Sequence, residues 1–102
     1  MLVKICGITN LEDALAAVEA GADALGFNFY RQSSRYVAPE VARRIVSRLP
    51  HDVMKVGVFV NEDEPEQVAC IADETGLTAV QLHGDESPEY ARALRGRFVI
   101  KA

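Results

Sequence analysis

Five side chains with useful chemistry stand at or just after short apolar segments of this 102-residue chain. They are a thiol, a guanidinium, two amides and an imidazole, which belong to Cys6, Arg35, Asn61, Gln81 and His83. Such groups exchange protons, hold anions and form hydrogen bonds, as a site for a small polar molecule requires. They are far apart in sequence, so their use depends on a fold that brings them together.

The elements that would position them follow from the hydrophobic pattern. Along the chain, this pattern alternates between short apolar runs, typical of buried strands, and apolar residues at helical spacing. Short apolar runs rich in β-branched residues predict five strands, at residues 2–8, 24–29, 54–60, 77–82 and 98–102. Apolar residues at helical spacing predict four helices between them, at residues 9–20, 39–48, 65–75 and 87–95. Thr9 and Glu12 have the form of a capping box, and Gly21, Gly76 and Gly96 stand where helices are expected to end.

Strands that alternate with helices predict a parallel sheet, because right-handed crossovers place each helix on a face of the sheet. An open doubly wound sheet of five strands would be complete at this length, whereas a (βα)8 barrel needs at least about 200 residues. A doubly wound sheet that binds a nucleotide has a glycine-rich loop, but neither GxGxxG nor GxxxxGK[ST] occurs here. The length therefore favours the open sheet and the loops do not.

In both architectures the carboxyl ends of the parallel strands meet at one edge, and ligands bind there. The five side chains named above stand at those ends, with Arg35 inside the long polar loop of residues 30–37. The turns at the opposite edge are short and contain only residues that end a helix, such as Gly21. The sequence therefore predicts one functional edge, formed by residues that are distant along the chain.

Composition excludes several classes of function. The chain has 49% hydrophobic and 25% charged residues, which is ordinary for a single globular domain over residues 1–102. A net charge of −4 argues against nucleic-acid binding, since phosphate backbones select basic surfaces. No apolar run approaches the roughly 18–20 residues that span a bilayer, and no signal segment is evident, so we expect a cytoplasmic protein with no membrane partner. The two cysteines, Cys6 and Cys70, are expected to be reduced thiols.

Four linked motifs resemble one family. They are KICGIT at residues 4–9, SSRYV at 33–37 after a Gly26-Phe27 pair, VGVFVN at 56–61 and VQLHG at 80–84. In this order and spacing they closely resemble phosphoribosylanthranilate isomerase of tryptophan biosynthesis, whose fold is a (βα)8 barrel of about twice this length. The resemblance implies the α/β TIM-barrel class in place of the open sheet. The chain is then expected to be a truncated half-barrel of four βα units and a fifth strand.

The resemblance also implies an activity, the Amadori rearrangement of N-(5′-phosphoribosyl)anthranilate to 1-(2-carboxyphenylamino)-1-deoxyribulose 5-phosphate. This reaction needs an acid for the furanose ring oxygen and a base for the C2′ proton, and it calls for no cofactor or metal. By resemblance Cys6 is the general base. Arg35 is expected against the anthranilate carboxylate of this phosphorylated substrate, which a planar guanidinium binds bidentately. The family's aspartate acid and its main phosphate-binding loops correspond to segments beyond Ala102.

The remaining three side chains are expected to bind rather than to catalyse. His83 is predicted to line the mouth of the site, and Asn61 and Gln81 to pack and hydrogen-bond there or to contact the substrate directly. Cys70 lies between apolar residues of a predicted helix and is expected to be a small buried core residue.

An alternative function is a half-barrel module that folds or self-associates without turnover. A barrel sheet cut after its fifth strand has two unpaired edges and an uncovered apolar face, which favour self-association or complementation by the missing half. The side chains predicted to face the shared interior include Val3, Ile5, Phe27 and Val58.

Overall fold

A computed structural model describes residues 3–62, 65–84, 86–94 and 98–101, in which strands and helices alternate as predicted. The strands are β1 (Lys4–Ile5), β2 (Ala24–Asn28), β3 (Met54–Phe59), β4 (Ala79–Leu82) and β5 (Phe98–Lys101). The helices are α1 (Leu11–Glu19), α2 (Pro39–Val46), α3 (Pro65–Thr75) and α4 (Pro88–Arg92). Over these residues, none of the helices has the length and apolarity needed to cross a membrane.

The five strands form one parallel sheet in the order β1-β2-β3-β4-β5, so that the order in space equals the order in the chain. A doubly wound sheet instead reverses its strand order at a switch point. Each of the four strand pairings here joins consecutive strands and none reverses. Because successive right-handed crossovers then step in one direction, the helices lie on one face of the sheet. The barrel-type arrangement is confirmed and the open doubly wound alternative is wrong.

The sheet has two unlike faces. On the helix-covered face, large strand side chains form one buried cluster with residues of the helices; its strand members include Leu25, Phe27, Phe59, Val80 and Leu82, and its helix members Ala14, Ile45, Val68 and Ala72. The other face, which we call the inner face, has a small buried cluster of Ala24, Val56 and Ala79, with Met54 and Ile100 packed against it. The main core therefore lies between the sheet and the helices.

Three of the four side chains predicted to face the interior lie on the helix-covered face instead. Phe27 is buried in its cluster, and Ile5 pairs with Leu25, which places Ile5 and the alternate residue Val3 on the same side. Only Val58 faces the other way. The prediction failed because strands of a parallel sheet are apolar on both faces, so their sequence shows no alternation that would identify the helix-covered side.

The first strand is shorter than predicted because Gly7 turns the chain. Gly7 has a φ of 81°, a left-handed conformation that favours glycine. The N–H groups of Gly7 and Ile8 both donate to the Gly26 carbonyl at 3.1 Å. The regular ladder therefore ends after Ile5, and Cys6 lies at the point where the strand becomes a loop.

The N-cap of helix α1 lies one residue later than predicted. It is Asn10, whose side-chain oxygen accepts a hydrogen bond from the N–H of Asp13 at 2.8 Å. The capping box of Thr9 and Glu12 is therefore wrong. Asparagine caps at least as well as threonine, so the local sequence offered two competing starts and the structure uses the second.

The other helix signals agree with the structure. The Ser87 hydroxyl caps α4 by accepting a hydrogen bond from the Tyr90 N–H at 3.1 Å. Gly21 and Gly76 follow α1 and α3 with φ values of 99° and 79°, as expected for C-terminal stops. The predicted stop at Gly96 lies outside the described residues.

The remaining boundaries move by at most three residues. Strand β4 begins at Ala79 rather than at residue 77, because the Leu77 N–H donates to the Ala72 carbonyl and completes the end of α3. Helix α2 and strand β3 end before residues 48 and 60, the ends predicted for them, and the predicted last strand residue, Ala102, is outside the described part of the chain.

Candidate active site

Cys6 is an exposed thiol at the carboxyl end of β1. Its neighbour on the adjacent strand is Gly26: a β-carbon built there would lie 3.1 Å from the Cys6 Sγ and 3.3 Å from the Cys6 Cα. A side chain at position 26 would therefore crowd the thiol. Glycine leaves the sulfur accessible at the edge of the sheet, which is a requirement for any proton transfer to or from a ligand.

Arg35 lies beside the Cys6 segment although it belongs to the loop between β2 and α2. Its side chain crosses the face of Gly7, since a β-carbon built on Gly7 would lie 2.8 Å from Arg35 Cδ and 2.9 Å from Nη1. Arg35 is exposed, and among the described residues it forms no ion pair. The structure thus brings a thiol and an uncompensated guanidinium to one edge of the sheet.

The loop that carries Arg35 is organised by Asn28, the last residue of β2. The Asn28 Oδ1 accepts a hydrogen bond from the Tyr30 N–H at 2.8 Å, and its Nδ2 donates to the Ser33 hydroxyl at 3.3 Å. The same Ser33 oxygen accepts from the Arg35 N–H at 3.1 Å. The Asn28 carbonyl accepts from the Val37 N–H at 3.0 Å, so one residue holds the loop near its start, middle and end.

Gln81 lies on the inner face and is held there by Lys4, whose ammonium donates to the Gln81 Oε1. Strands β1 and β4 are three spacings apart, which is about 14 Å in a flat sheet. Two side chains meet across that distance most readily if the sheet curves with the inner face concave. The contact therefore agrees with a barrel interior on this face, and it places Gln81 among its lining residues.

Asn61 stabilises the junction of two loops. It has a φ of 48°, and its side chain packs against Gly84, where an added β-carbon would collide with the amide. The Glu86 carboxylate accepts hydrogen bonds from the Asn61 N–H at 2.7 Å and from the Gly84 N–H at 2.9 Å. Asn61 thus joins the loop after β3 to the loop after β4.

His83 follows β4 at the same edge. Its N–H donates to the Phe59 carbonyl at 2.9 Å, which continues the pairing of β3 with β4, and its imidazole is exposed. The predicted site residues therefore all lie at the carboxyl edge or just beneath it, but the closest association is that of Arg35 with the Cys6-Gly7 turn.

Three residues of this edge were not predicted: Lys4, Asn28 and Glu86. Lys4 stands two residues before Cys6 and Asn28 two residues after Gly26, so the two-residue period of a strand places each pair on one face and could have identified them. No local signal points to Glu86, because its role depends on the approach of two separate loops.

Cys70 is exposed, contrary to the prediction of a buried core residue. Its Sγ donates a hydrogen bond to the Glu74 carboxylate one helical turn away, at 3.4 Å. That hydrogen bond, together with the negative charge of Glu74, raises the pKa of the Cys70 thiol. Cys70 lines a cleft of about 610 Å³ together with Tyr36 and the site residue Asn61, and Cys6 is not among the residues that line it.

The described residues contain no cluster of three or more His, Cys, Asp and Glu side chains that could hold a metal ion. The side chains predicted for the candidate site are one thiol, one guanidinium, two amides and one imidazole.

Fold and site together define an α/β protein of the barrel type, with polar side chains gathered at the carboxyl ends of its parallel strands. The family model for N-(5′-phosphoribosyl)anthranilate isomerase matches residues 3–102. A relative of that name from Thermotoga neapolitana is 62% identical over 101 residues, which cover 98% of this chain and 49% of the relative. The chain belongs to the phosphoribosylanthranilate isomerase family, and it spans about half the length of the curated relatives it matches.

Solved structures agree with this assignment. The crystal structure of phosphoribosyl anthranilate isomerase from Thermotoga maritima superposes with a TM-score of 0.95 at 59% identity, over 99% of this chain and 49% of that one. A second structure, of the enzyme in complex with reduced 1-(o-carboxyphenylamino)-1-deoxyribulose 5-phosphate, also gives a TM-score of 0.95 at 59% identity, over 99% of this chain and 52% of that one.

Proposed function

We propose that this chain forms the N-terminal half of a phosphoribosylanthranilate isomerase and supplies the base and the carboxylate-binding arginine of its active site. The observation that carries the proposal is the position of Arg35 against Gly7, directly beside the exposed thiol of Cys6. The ligand named for the related complex, a carboxyphenylamino-deoxyribulose phosphate, has the carboxylate that such an arginine would bind.

In the proposed reaction, an acid protonates the ring oxygen of the phosphoribosyl group as the bond between C1′ and that oxygen breaks. The anthranilate nitrogen supplies the electron pair, which gives an open-chain iminium ion. Cys6 as thiolate then removes the C2′ proton, and the electrons of that C–H bond form the enolamine, which tautomerises to the ketone. Arg35 holds the anthranilate carboxylate, so the substrate is oriented with C2′ toward the sulfur.

The other predicted residues have supporting roles in this proposal. Gln81 lines the inner face beneath the site, and Lys4 fixes its amide. Asn61 keeps the neighbouring loops together and His83 lines the mouth, where it is available to the substrate. No metal or cofactor takes part in the proposal.

We further propose that residues 1–102 are one domain whose partner is the C-terminal half of a barrel, which would contribute the general acid and the phosphate-binding loops. Val3, just before β1, and Ile5 on β1 are 41% and 40% exposed on the helix-covered side, and β1 pairs on one side only within the described sheet. Exposed apolar groups at a free strand edge favour association with another half-barrel, either a complementary one or a second copy of this chain. As a biosynthetic enzyme of this kind, it would act in the cytoplasm.

Complementation tests this proposal. The chain is combined with a fragment that carries the C-terminal half of the Thermotoga maritima relative, and turnover is followed by the fluorescence of the anthranilate group. We expect no isomerisation by either part alone, activity on mixing, and loss of that activity when the chain carries Cys6→Ala. If the mixture forms a stable complex without turnover, the alternative of a non-catalytic half-barrel module is correct.

A further inference from the structure

Asn28 connects the loop that carries Arg35 to the strand that flanks Cys6. It is the last residue of β2, two positions after Gly26, whose carbonyl accepts hydrogen bonds from Gly7 and Ile8. The segment after Cys6 and the loop before Arg35 are therefore both attached to the same end of β2.

The attachment on the Arg35 side passes through Ser33. The Asn28 Nδ2 donates to the Ser33 hydroxyl at 3.3 Å, and that hydroxyl accepts from the Arg35 N–H at 3.1 Å. A second hydrogen bond, from the Tyr30 N–H to the Asn28 Oδ1 at 2.8 Å, fixes the amide so that its nitrogen faces Ser33. Asn28 and Ser33 are half-buried, which limits competition from water for the two bonds that Asn28 forms, whereas the bond from the Arg35 N–H to Ser33 is exposed.

The position of Arg35 depends on this attachment. Its exposed side chain has no salt bridge among the described residues, so contact with Gly7 and the main-chain bond to Ser33 are what hold it at the edge. A long arginine side chain loses considerable rotamer freedom when it binds an anion, and a fixed main chain reduces that cost. We propose that Asn28, acting through Ser33, is a positioning residue that directs Arg35 to the site beside Cys6 and so determines the preference of that site for a carboxylate-bearing ligand.

This inference rests on the proposed function, and it is tested by ligand discrimination in the complemented protein, this chain with the C-terminal half of the Thermotoga maritima relative. Calorimetry compares reduced 1-(o-carboxyphenylamino)-1-deoxyribulose 5-phosphate with the phenylamino compound that lacks the carboxylate. Ser33→Ala is expected to weaken binding of the first ligand by about three- to tenfold, the effect of one hydrogen bond, and binding of the second by less than about twofold. Ser33→Thr keeps the hydroxyl and should restore discrimination, and Ser34→Ala, in the same loop, is the matched control. Asn28→Ala should reduce discrimination at least as much as Ser33→Ala.

A double-mutant cycle separates positioning from general stability. In an Arg35→Lys background, Ser33→Ala should weaken binding of the carboxylated ligand by less than about a further twofold, because the group that Ser33 positions has already been changed. Equal weakening of both ligands, or full additivity with Arg35→Lys, would overturn the role of Asn28 and Ser33 while the proposed function stands. If the unmodified protein does not distinguish the two ligands, the proposed carboxylate contact fails, and the positioning role fails with it.

Discussion

The two faces of the sheet use the same five strands for different purposes. On the helix-covered face, Leu25, Phe27 and Phe59 are fully buried, and the rings of Phe29 and Phe59 stack with centroids 5.2 Å apart. On the inner face only a small apolar cluster of Ala24, Val56 and Ala79 is buried, and Lys4 and Gln81 meet there across the sheet. One face thus holds most of the apolar area that stabilises the fold, whereas the other provides polar groups and space at its carboxyl edge.

The difference explains why the candidate site is at that edge. A thiol on the helix-covered face would be buried among aromatic rings and closed to a ligand, but Cys6 extends beside Gly26 and remains exposed. Conversely, removal of a side chain from the inner face should affect turnover or ligand binding more than the free energy of unfolding, because few apolar contacts are lost there. Three experiments test that division, and a fourth tests the second thiol, Cys70.

The largest expected effect is that of Cys6→Ala in the complemented protein. Loss of the proposed base should reduce turnover by at least about 10²–10⁴-fold, the usual contribution of a positioned acid–base group. The free energy of unfolding, measured by urea titration, should change little because the thiol is exposed. Turnover within threefold of the parent would remove Cys6 from the mechanism, and Cys70→Ala serves as the matched control.

Two valines on adjacent strands compare the faces directly. Val80 is 1% exposed in the helix-covered cluster, whereas Val58 is half-buried on the inner face. Val80→Ala should lower the free energy of unfolding of the chain by about 2–3 kcal/mol, through lost burial and a residual cavity. Val58→Ala should cost less than about 1 kcal/mol. Equal losses in urea titrations would mean that both faces are equally packed.

Arg35→Lys is expected to have a smaller effect. Lysine keeps the charge but lacks the planar fork, so affinity for a carboxylated ligand should fall by about tenfold, and affinity for a ligand without the carboxylate should be unchanged. Arg31→Lys, an exposed arginine of the same loop, is the control. An equal loss for both ligands would assign Arg35 to the phosphate or to the fold.

The smallest effect concerns Cys70, which lies outside the candidate site. Glu74 raises the pKa of this thiol, so at pH 8 less of it is thiolate than in an ordinary cysteine. Glu74→Gln removes the negative charge and should make alkylation of Cys70 by iodoacetamide faster at pH 8, in a Cys6→Ser background. Since the raised pKa favours the neutral thiol in the folded protein, any stabilisation from this contact is present below the ordinary cysteine pKa and is lost as the pH rises through the raised value. An unchanged alkylation rate would show that Glu74 does not control the thiol.

Local signals in the sequence were sufficient for the order of the elements. These signals depend on neighbouring residues alone, so they could be identified without the fold. They are the strand and helix periods, the helix ends at Gly21 and Gly76 and the helix cap at Ser87. The motifs around Cys6 and Arg35, with the rule that ligands bind at the carboxyl ends of parallel strands, predicted that these two residues would meet. Their catalytic and binding roles stay predictions.

Only the tertiary structure decided which side chains face the helices and which groups complete the edge. A strand buried on both faces carries no alternation, so the sides of Phe27 and Ile5 could not be inferred, and the exposure of Cys70 depends on the packing of α3. The contact between Lys4 and Gln81 depends on how strands β1 to β4 are arranged in space, and the hydrogen bonds of Glu86 with Asn61 and Gly84 require two loops to approach each other. These are long-range consequences of register and curvature, which no local window of the sequence contains.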